Sequence, residues 1–325
     1  MNRDENNHFS FKPAWWLPGP HLQTLWPTLC RREIKNIQLQ RERFELADGD
    51  FIDLDWTEQK EGPIVLILHG LEGSVSSPYA KGMLFAIHQQ GWRGVFMHFR
   101  GCSGELNRRA RSYHSGDTED VARIVAMLQQ REQCKQIAAI GFSLGGNVLL
   151  KWLGELGTSS PLCAAVGISV PFELSKTATR IQQGFSRVYQ QYFMRTLCRK
   201  VRDKFEMRPA PIKLPILEEL RSLREFDDKV TAPLHGFTSA EDYYQKSSCR
   251  QFLKDIATPT LLLQAKDDPF MTIDLLPHTY ELSSQVKLEL TEQGGHVGFV
   301  SGSLPWRAEY WLEQRAPQFL AEHLD

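Results

Sequence analysis

Short apolar runs that alternate with helical segments constrain this fold more than any other feature of the sequence. Residues 64–68, between Pro63 and His69, are all aliphatic and show no polar alternation, which is typical of a strand covered on both faces. Further strands, separated by helical segments, are predicted at Trp92–Phe99, Gln136–Phe142, Leu162–Val170 and Pro259–Ala265. Strands and helices in this order indicate an α/β fold with a mostly parallel central sheet flanked by helices.

The alternation stops at about residues 171–254, where the sequence is mostly helical. Helices are predicted at Ile181–Phe205 and Leu217–Glu225, and Ser239 is placed to cap another. Because 325 residues exceed what one α/β core needs, we predict a single domain over residues 1–325 with a helical cap or lid inserted at 171–254.

Both ends of the chain add elements to the predicted sheet. Residues 34–56 are predicted to form a strand, a turn at Asp48-Gly49 and a second strand. Toward the other end, a strand at Val286–Leu290 precedes a closing helix at Trp306–His323.

Composition narrows the classes of partner and compartment. A hydrophobic fraction of 42% supports a sizeable core, and a net charge of −1 predicts no nucleic-acid partner. Residues 193–208 are locally basic, which is interpreted as a solvated helix face rather than a binding patch. The polar start carries no leader-peptide pattern, and no apolar run approaches the roughly 20 residues of a membrane span. We therefore predict a cytoplasmic protein with six reduced cysteines: Cys30, Cys102, Cys134, Cys163, Cys198 and Cys249.

The segment Gly141-Phe-Ser143-Leu-Gly145 matches the pattern G-x-S-x-G between a predicted strand and a predicted helix. This setting is that of a nucleophile elbow, a turn so tight that side chains two residues before and after the serine would collide. The elbow would hold the Ser143 hydroxyl at the carboxyl end of the sheet, where α/β sheets bind ligands. Ser143 is therefore the predicted nucleophile.

A serine nucleophile needs a histidine base and an acid that orients it, in the chain order Ser, acid, His for this kind of elbow. Asp267 and Asp268 follow the strand that ends at Ala265, and Asp268 is preferred because of its position three residues after the strand. Asp267 is then expected to cap the following turn. His296 follows two glycines after the last strand, on a loop that could reach Ser143. Other histidines lie in poorer contexts: His235, His278 and His323.

Backbone amides are expected to form an oxyanion hole beside the serine. The first donor should be the N–H of Leu144, directly after the nucleophile, and the second the N–H of Leu71, in the loop after the strand that ends at His69-Gly70.

Several residues near these loops have two possible roles, and the sequence does not decide between them. His69, Gly70, Arg100 and His114 could line the pocket or only shape the loops beside it. Cys102 lies between two glycines without an elbow, so it is a nucleophile only in principle. No spacing of His, Cys and carboxylates suits a metal, and no phosphate-binding loop pattern is present, so we expect no metal and no cofactor.

An aromatic arm occupies about residues 11–30, with Trp15-Trp16 and Trp26 as its largest side chains. Packing on the core is the expected role of this arm. The alternatives are that it covers an apolar acyl pocket or makes transient contact with lipid.

The chain resembles the α/β-hydrolase superfamily, and more closely its YheT-like branch of provisionally named esterases, over nearly its whole length. The resemblance rests on the motifs His21-Leu-Gln-Thr24, His69–Ser74, His98–Gly104, Tyr113-His-Ser-Gly116, Gly141–Gly146, Arg224–Asp228, Asp267–Phe270 and Gly294–Phe299.

The resemblance implies a serine carboxylesterase with the triad Ser143, Asp268 and His296, acting on small esters of short-chain or acylglycerol-like type. The alternatives are an acyltransferase or thioesterase with the same triad, or an inactive scaffold that acts as a binding module. No oligomeric state is predicted.

Overall fold

The structure is a computed structural model that describes residues 10–31, 34, 37–132, 136–206 and 208–324. The polar residues 1–9, residues 35 and 36 of the predicted hairpin, and Cys134 lie outside the described residues. The strands of the main sheet are β1 (Gln40–Glu45), β2 (Phe51–Trp56), β3 (Ile64–Leu68), β4 (Arg93–Met97), β5 (Ile137–Phe142), β6 (Ala164–Ile168), β7 (Thr260–Ala265) and β8 (Val286–Thr291).

Within the described residues these eight strands form one sheet in the order β1-β2-β4-β3-β5-β6-β7-β8. Along this order, each pair of neighbouring strands from β4 through β3 to β8 is parallel. In contrast, β1 and β2 form an antiparallel hairpin, and β2 pairs antiparallel with β4. Every residue of β3 is buried, as its unbroken aliphatic sequence predicts. The predicted fold class is confirmed.

Helices flank the sheet on both faces, and a second group of helices lies between β6 and β7 in the sequence. The helices that precede or follow that stretch are α1 (Pro20–Cys30), α2 (Pro78–Gln89), α3 (Glu119–Glu132), α4 (Leu144–Leu156) and α10 (Leu312–Ala321). Those between β6 and β7 are α5 (Leu174–Arg180), α6 (Ser186–Glu206), α7 (Leu223–Phe226), α8 (Ala232–His235) and α9 (Ala240–Ser247). A π-helical turn, Asp227–Thr231, joins α7 to α8.

Two apolar layers enclose the sheet. Side chains of α3 and α4 pack on one face, and side chains of α2 and α10 pack on the other. The helices between β6 and β7 bury a separate apolar cluster built from α6, α7 and the turns beside them. The organisation as a single domain over residues 1–325 with a helical cap inserted at about 171–254 stays a prediction.

Helix bounds inside this stretch differ from the predicted ones. The helix predicted from Ile181 begins at Ser186, after a turn that contains Gly184 with φ 54°. The segment Leu217–Glu225 is predicted as one helix, but only its end is α-helical, as the start of α7; its beginning lies in a 3₁₀ turn over Leu214–Glu218. Ser222 caps α7 by accepting the amide of Glu225, so a side-chain cap set a helix start that periodicity did not predict.

The closing helix also starts later than its predicted bound at Trp306. A short strand, β10 (Glu309–Tyr310), pairs antiparallel with β9 (Val300–Ser301) before α10 begins at Leu312. Pairing with a partner on the His296 loop takes these residues out of the helix.

The prediction of a solvated basic face over residues 193–208 is correct only in part. Arg195, Arg199 and Arg202 are exposed on α6, but Lys204 is buried and Lys200 points into the protein. Their ammonium groups bind acceptors on loops of the sheet domain, which the local charge pattern did not reveal.

No helix among the described residues is long and apolar enough to cross a lipid bilayer.

Candidate active site

Ser143 lies in the tight turn that connects β5 to α4. Its backbone has φ 49° and ψ −117°, a conformation that few non-glycine residues adopt, and its amide donates to the carbonyl of Ile168 at 2.8 Å. A Cβ at Gly141 would lie 2.6 Å from the carbonyl oxygen of Gly145, and one at Gly145 would lie 2.5 Å from that of His69. Both positions therefore require glycine, as the sequence pattern predicts.

The structure brings Ser143, Asp268 and His296 together from the segments that follow β5, β7 and β8. His296 Nε2 lies 2.9 Å from Ser143 Oγ, and His296 Nδ1 lies 2.8 Å from Asp268 Oδ2. A carboxylate accepts only, so Nδ1 carries the proton and Nε2 is free to accept the serine hydroxyl proton. This is the arrangement that activates a serine for nucleophilic attack.

Asp268 is held in place by its own hydrogen bonds. Its side chain is buried, and Oδ1 accepts the amide of Phe270 at 2.8 Å. The Phe270 ring stacks on the His296 imidazole with centroids 4.1 Å apart. These contacts hold the imidazole between the carboxylate and the serine.

The sequence predicts that Asp267 caps the turn that follows it, but the structure gives this side chain a different partner. Its Oδ1 accepts the amide of Gly295 at 2.9 Å, so it holds the loop that carries His296. A hydrogen bond across 28 residues replaces the local one because β7 and β8 are neighbours in the sheet.

The N-terminal arm supports the same loop. The amide of His296 donates to Thr24 Oγ1 at 2.9 Å, and the buried Gln23 exchanges two hydrogen bonds with the backbone of Val300. The motif at residues 21–24 contains both Gln23 and Thr24, but the sequence pattern did not reveal that they hold the His296 loop.

The other edge of the site is the loop after β3. A Cβ at Gly70 would lie 3.3 Å from Ser143 Cβ, so the next amide in the chain, that of Leu71, belongs to the immediate surroundings of the serine. Leu144 follows Ser143 at the start of α4, and both leucines line the cavity described below. Both residues named from the sequence therefore line the cavity at Ser143, and their role as oxyanion donors stays a prediction.

His69 lies behind this loop and does not line the cavity. Its Nε2 accepts the amide of Phe99 at 3.1 Å, so Nδ1 is the protonated nitrogen and donates to the carbonyl of Gly70 at 2.6 Å. Burial lowers the pKa of His69 to about 3, which keeps the ring neutral. His69 therefore orients the Gly70 peptide rather than contacting a ligand.

Glu72, for which the sequence pattern predicted no role, holds the same loop in place through hydrogen bonds. Its backbone has φ 55°, and its amide donates to the hydroxyl of Tyr113 at 2.9 Å. Its buried carboxylate accepts from Tyr113 at 2.8 Å and from Lys200 of α6 at 2.7 Å. Lys200 also contacts Cys102, whose thiol has a pKa raised to about 11 by burial and is therefore a poor nucleophile.

Arg100, which the sequence left as either a pocket residue or a residue that shapes the loops, does not line the cavity. Its fully buried guanidinium binds Asp120 at 2.6 and 2.7 Å, Asp48 at 2.8 Å and Asp50 at 3.0 Å. It shapes the loops beside the site. His114 and Gly70, by contrast, do line the cavity.

A cavity of about 780 Å³ opens at Ser143 and His296. Its walls are mostly aliphatic and aromatic side chains from α1, the loop after β3, α6 and the turn between α7 and α8. Part of the aromatic arm packs on the core, since Ala14 and Leu17 are buried with Val300, but residues 24, 25 and 27–29 also form one wall of the cavity. In the described part of the chain, no group of three or more His, Cys, Asp or Glu residues could hold a metal ion.

Comparisons with known proteins identify the fold and its relatives. The family model of the alpha/beta hydrolase fold matches residues 63–303. YheT of Escherichia coli (strain K12), provisionally named an esterase, is 45% identical over 98% of this chain and 96% of its own length. Phospholipase ABHD3 of Mus musculus is 30% identical over 88% of this chain and 73% of its own.

Among solved structures, the Pyrococcus furiosus esterase Pf2001 superposes with a TM-score of 0.59 over 91% of this chain and 99% of that one. The sequence identity of 17% limits this likeness to the fold.

Proposed function

This chain belongs to the α/β-hydrolase family, in its YheT-like branch, and from that premise we propose that it hydrolyses carboxylic esters through a covalent acyl-enzyme on Ser143. The observation that carries the proposal is the pair of contacts made by His296, 2.9 Å to Ser143 Oγ and 2.8 Å to Asp268 Oδ2. An unpaired serine hydroxyl is a weak nucleophile, and these two contacts supply the base and its orienting acid.

In the acylation step, Ser143 Oγ attacks the ester carbonyl carbon while His296 Nε2 takes the hydroxyl proton. The carbonyl oxygen becomes an oxyanion, which the amides of Leu71 and Leu144 stabilise. Asp268 stabilises the imidazolium that forms. Collapse of the tetrahedral intermediate expels the alkoxide, which takes the proton from His296 and leaves as an alcohol.

In the deacylation step, His296 removes a proton from a water molecule, and the hydroxide attacks the acyl carbon. The same two amides hold the second oxyanion. Ser143 then leaves with the proton that His296 carried, which restores the starting state and releases a carboxylic acid.

The cavity and the relatives support a proposal for the substrate class. Mostly apolar walls over about 780 Å³ suit an acyl chain, and the relative ABHD3 is named a phospholipase. We propose short-chain or acylglycerol-like esters as substrates.

The test replaces the nucleophile. Ser143→Ala should lower kcat on p-nitrophenyl butyrate by about 10⁴-fold or more, because triad nucleophiles act as a unit with their base. Ser159→Ala, at an exposed serine after α4, is the matched control and should keep parent activity. A fluorophosphonate probe should label the parent and the control but not Ser143→Ala. Activity of Ser143→Ala within a few-fold of the parent would contradict the proposal.

A further inference from the structure

One wall of the cavity carries polar side chains that the hydrolytic steps do not use. The wall is formed by the π-helical turn Asp227–Thr231 and by α8, which ends at His235, and His114 faces it from the loop that precedes α3. The rings of His114 and His235 meet with centroids 4.6 Å apart. π-helical turns inside helices are frequent at functional sites, and this one places a carboxylate on the wall of a mostly apolar cavity that the ion-paired Glu72 and Lys200 also line.

Asp227 retains capacity to accept further hydrogen bonds. Oδ1 accepts from Thr231 Oγ1 at 2.7 Å, and Oδ2 accepts from the hydroxyl of Tyr244 at 2.7 Å. A carboxylate offers about four lone-pair positions, so two remain. The carboxylate forms no ion pair with any described residue, and burial raises its pKa to about 6.

The two histidines add neutral hydrogen-bonding groups. His114 Nδ1 accepts the amide of Gly116 at 3.1 Å, so its proton is on Nε2. Within the described chain, neither ring nitrogen of His235 makes a hydrogen bond. Burial lowers the pKa of His114 well below its usual value and that of His235 to about 3, so both rings are uncharged at neutral pH.

The chemistry of the site favours a neutral ligand group that has a hydrogen to donate. The carboxylate of Asp227 only accepts hydrogen bonds and would repel an anion. A cationic group would lose its hydration shell in a mostly apolar cavity, and that cost can exceed its attraction to one carboxylate. A hydroxyl donates a hydrogen without that cost.

We propose that Asp227, on the cavity wall that also carries His114 and His235, is the acceptor of a subsite that binds a hydroxyl group of the substrate and is separate from the catalytic triad. The choice of esters as ligands rests on the proposed function. The hydroxyl could belong to the alcohol part of the ester, as in a glycerol ester, or to a hydroxylated acyl chain.

The experiment measures binding in the Ser143→Ala background, where esters stay intact. Dissociation constants are determined by ligand-observed NMR for glycerol 1-monohexanoate, propyl hexanoate and propyl 6-hydroxyhexanoate, which share one acyl length. At least one hydroxylated ester should bind about tenfold more tightly than propyl hexanoate, the value of one buried hydrogen bond to a charged acceptor. A preference for the glycerol ester assigns the hydroxyl to the alcohol part, and a preference for the 6-hydroxy ester assigns it to the acyl part.

Substitution of Asp227 then separates binding from structure. Asp227→Leu should raise the dissociation constant of the preferred hydroxylated ester about tenfold. The dissociation constant of propyl hexanoate should stay within about twofold of its value before the substitution. Thr231→Val, which removes one hydrogen bond but keeps the carboxylate, should retain the preference. Asp228→Asn makes a similar charge change at a neighbour that does not line the cavity, and should retain it too.

Equal binding of all three esters, or equal weakening of all three by Asp227→Leu, would overturn the subsite. Should Asp227→Leu fail to fold, Asp227→Asn keeps the shape and should still reduce the preference, and an unchanged preference in Asp227→Asn would overturn the subsite. Loss of catalysis does not affect these measurements. A parent that binds hydroxylated esters preferentially but fails to hydrolyse p-nitrophenyl butyrate would contradict the proposed function and leave the subsite standing.

Discussion

Two adjacent aspartates after β7 have different partners. Asp268 Oδ2 contacts the imidazole of His296, whereas Asp267 Oδ1 holds the backbone amide of Gly295, in the same loop. A backbone amide needs only an acceptor of suitable geometry, but a catalytic imidazole needs a charged acceptor that fixes its tautomer. The two residues should therefore respond differently to the same substitution.

Asp268→Asn is expected to lower kcat on p-nitrophenyl butyrate by about 10⁴-fold, because an amide can favour the wrong tautomer of His296. Asp267→Asn keeps an acceptor for Gly295 and should lower kcat by less than about tenfold. Steady-state kinetics of the two variants, with circular dichroism to compare their folds, decide the assignment. Equal losses, or a larger loss for Asp267→Asn, would exchange the two roles.

At the scale of secondary-structure elements, α6 is fastened to the loops beneath it by two lysines one turn apart. Lys200 donates to Glu72 of the loop after β3. Lys204 donates to Asn107 Oδ1 at 2.7 Å and to Ser112 Oγ at 3.0 Å. Because Glu72 directly follows Leu71, the position of α6 is coupled to the proposed oxyanion donor.

Lys200→Met should therefore reduce kcat on p-nitrophenyl butyrate about tenfold with little change in KM. The reason is that a displaced Leu71 amide would stabilise the oxyanion less in the transition state but would hardly affect binding of the substrate. Arg199→Met, at the exposed neighbouring cation on α6, is the control and should stay within about twofold. The double variant Glu72→Gln/Lys200→Met should recover part of the loss, since no unpaired carboxylate then remains buried. A uniform rise in KM with unchanged kcat would instead assign Lys200 to substrate binding.

At the scale of the whole molecule, Arg100 joins parts of the chain that are distant in sequence. Its guanidinium connects the β1–β2 hairpin, through Asp48 and Asp50, to α3, through Asp120. All these atoms except those of Asp48 are nearly inaccessible to solvent. Removal of one partner from a buried ion network leaves charges that nothing compensates.

Arg100→Met is expected to lower the free energy of unfolding by about 3–5 kcal/mol, measured by urea denaturation at pH 7. Arg123→Met, which breaks partly exposed pairs with Glu119 and Asp120, should cost about 1 kcal/mol or less. Similar losses for the two variants would contradict a structural role for the Arg100 network.

The deficit of Arg100→Met should also depend on pH. Burial raises the pKa of Asp50, but hydrogen bonds from Asn107, the Arg108 amide and Arg100 outweigh it and hold the pKa below its usual value. A carboxyl whose pKa is lowered by folding stabilises the protein above its unfolded pKa, about 4, and loses that contribution as the pH falls through the folded value. The difference between parent and Arg100→Met should therefore shrink below about pH 4, and a difference that grows there would refute the sign.

Most of the fold could be predicted from local patterns. The aliphatic run of β3 and the glycines around Ser143 determined the strands and the elbow, because burial on both faces and a tight turn restrict which residues a short segment can contain. The positions of Asp268 and His296 after their strands were also readable, because parallel strands bring their carboxyl ends to one edge of the sheet.

The partners of polar side chains were decided by the tertiary structure alone. Thr24 meets His296 across 272 residues, and Lys200 meets Glu72 across 128. Local sequence carries no signal for such pairs, because each depends on how distant elements pack and not on the conformation of either segment. The sequence by itself determined what lies along each strand and turn, and the packing of α1 and α6 over the sheet decided which residues surround Ser143.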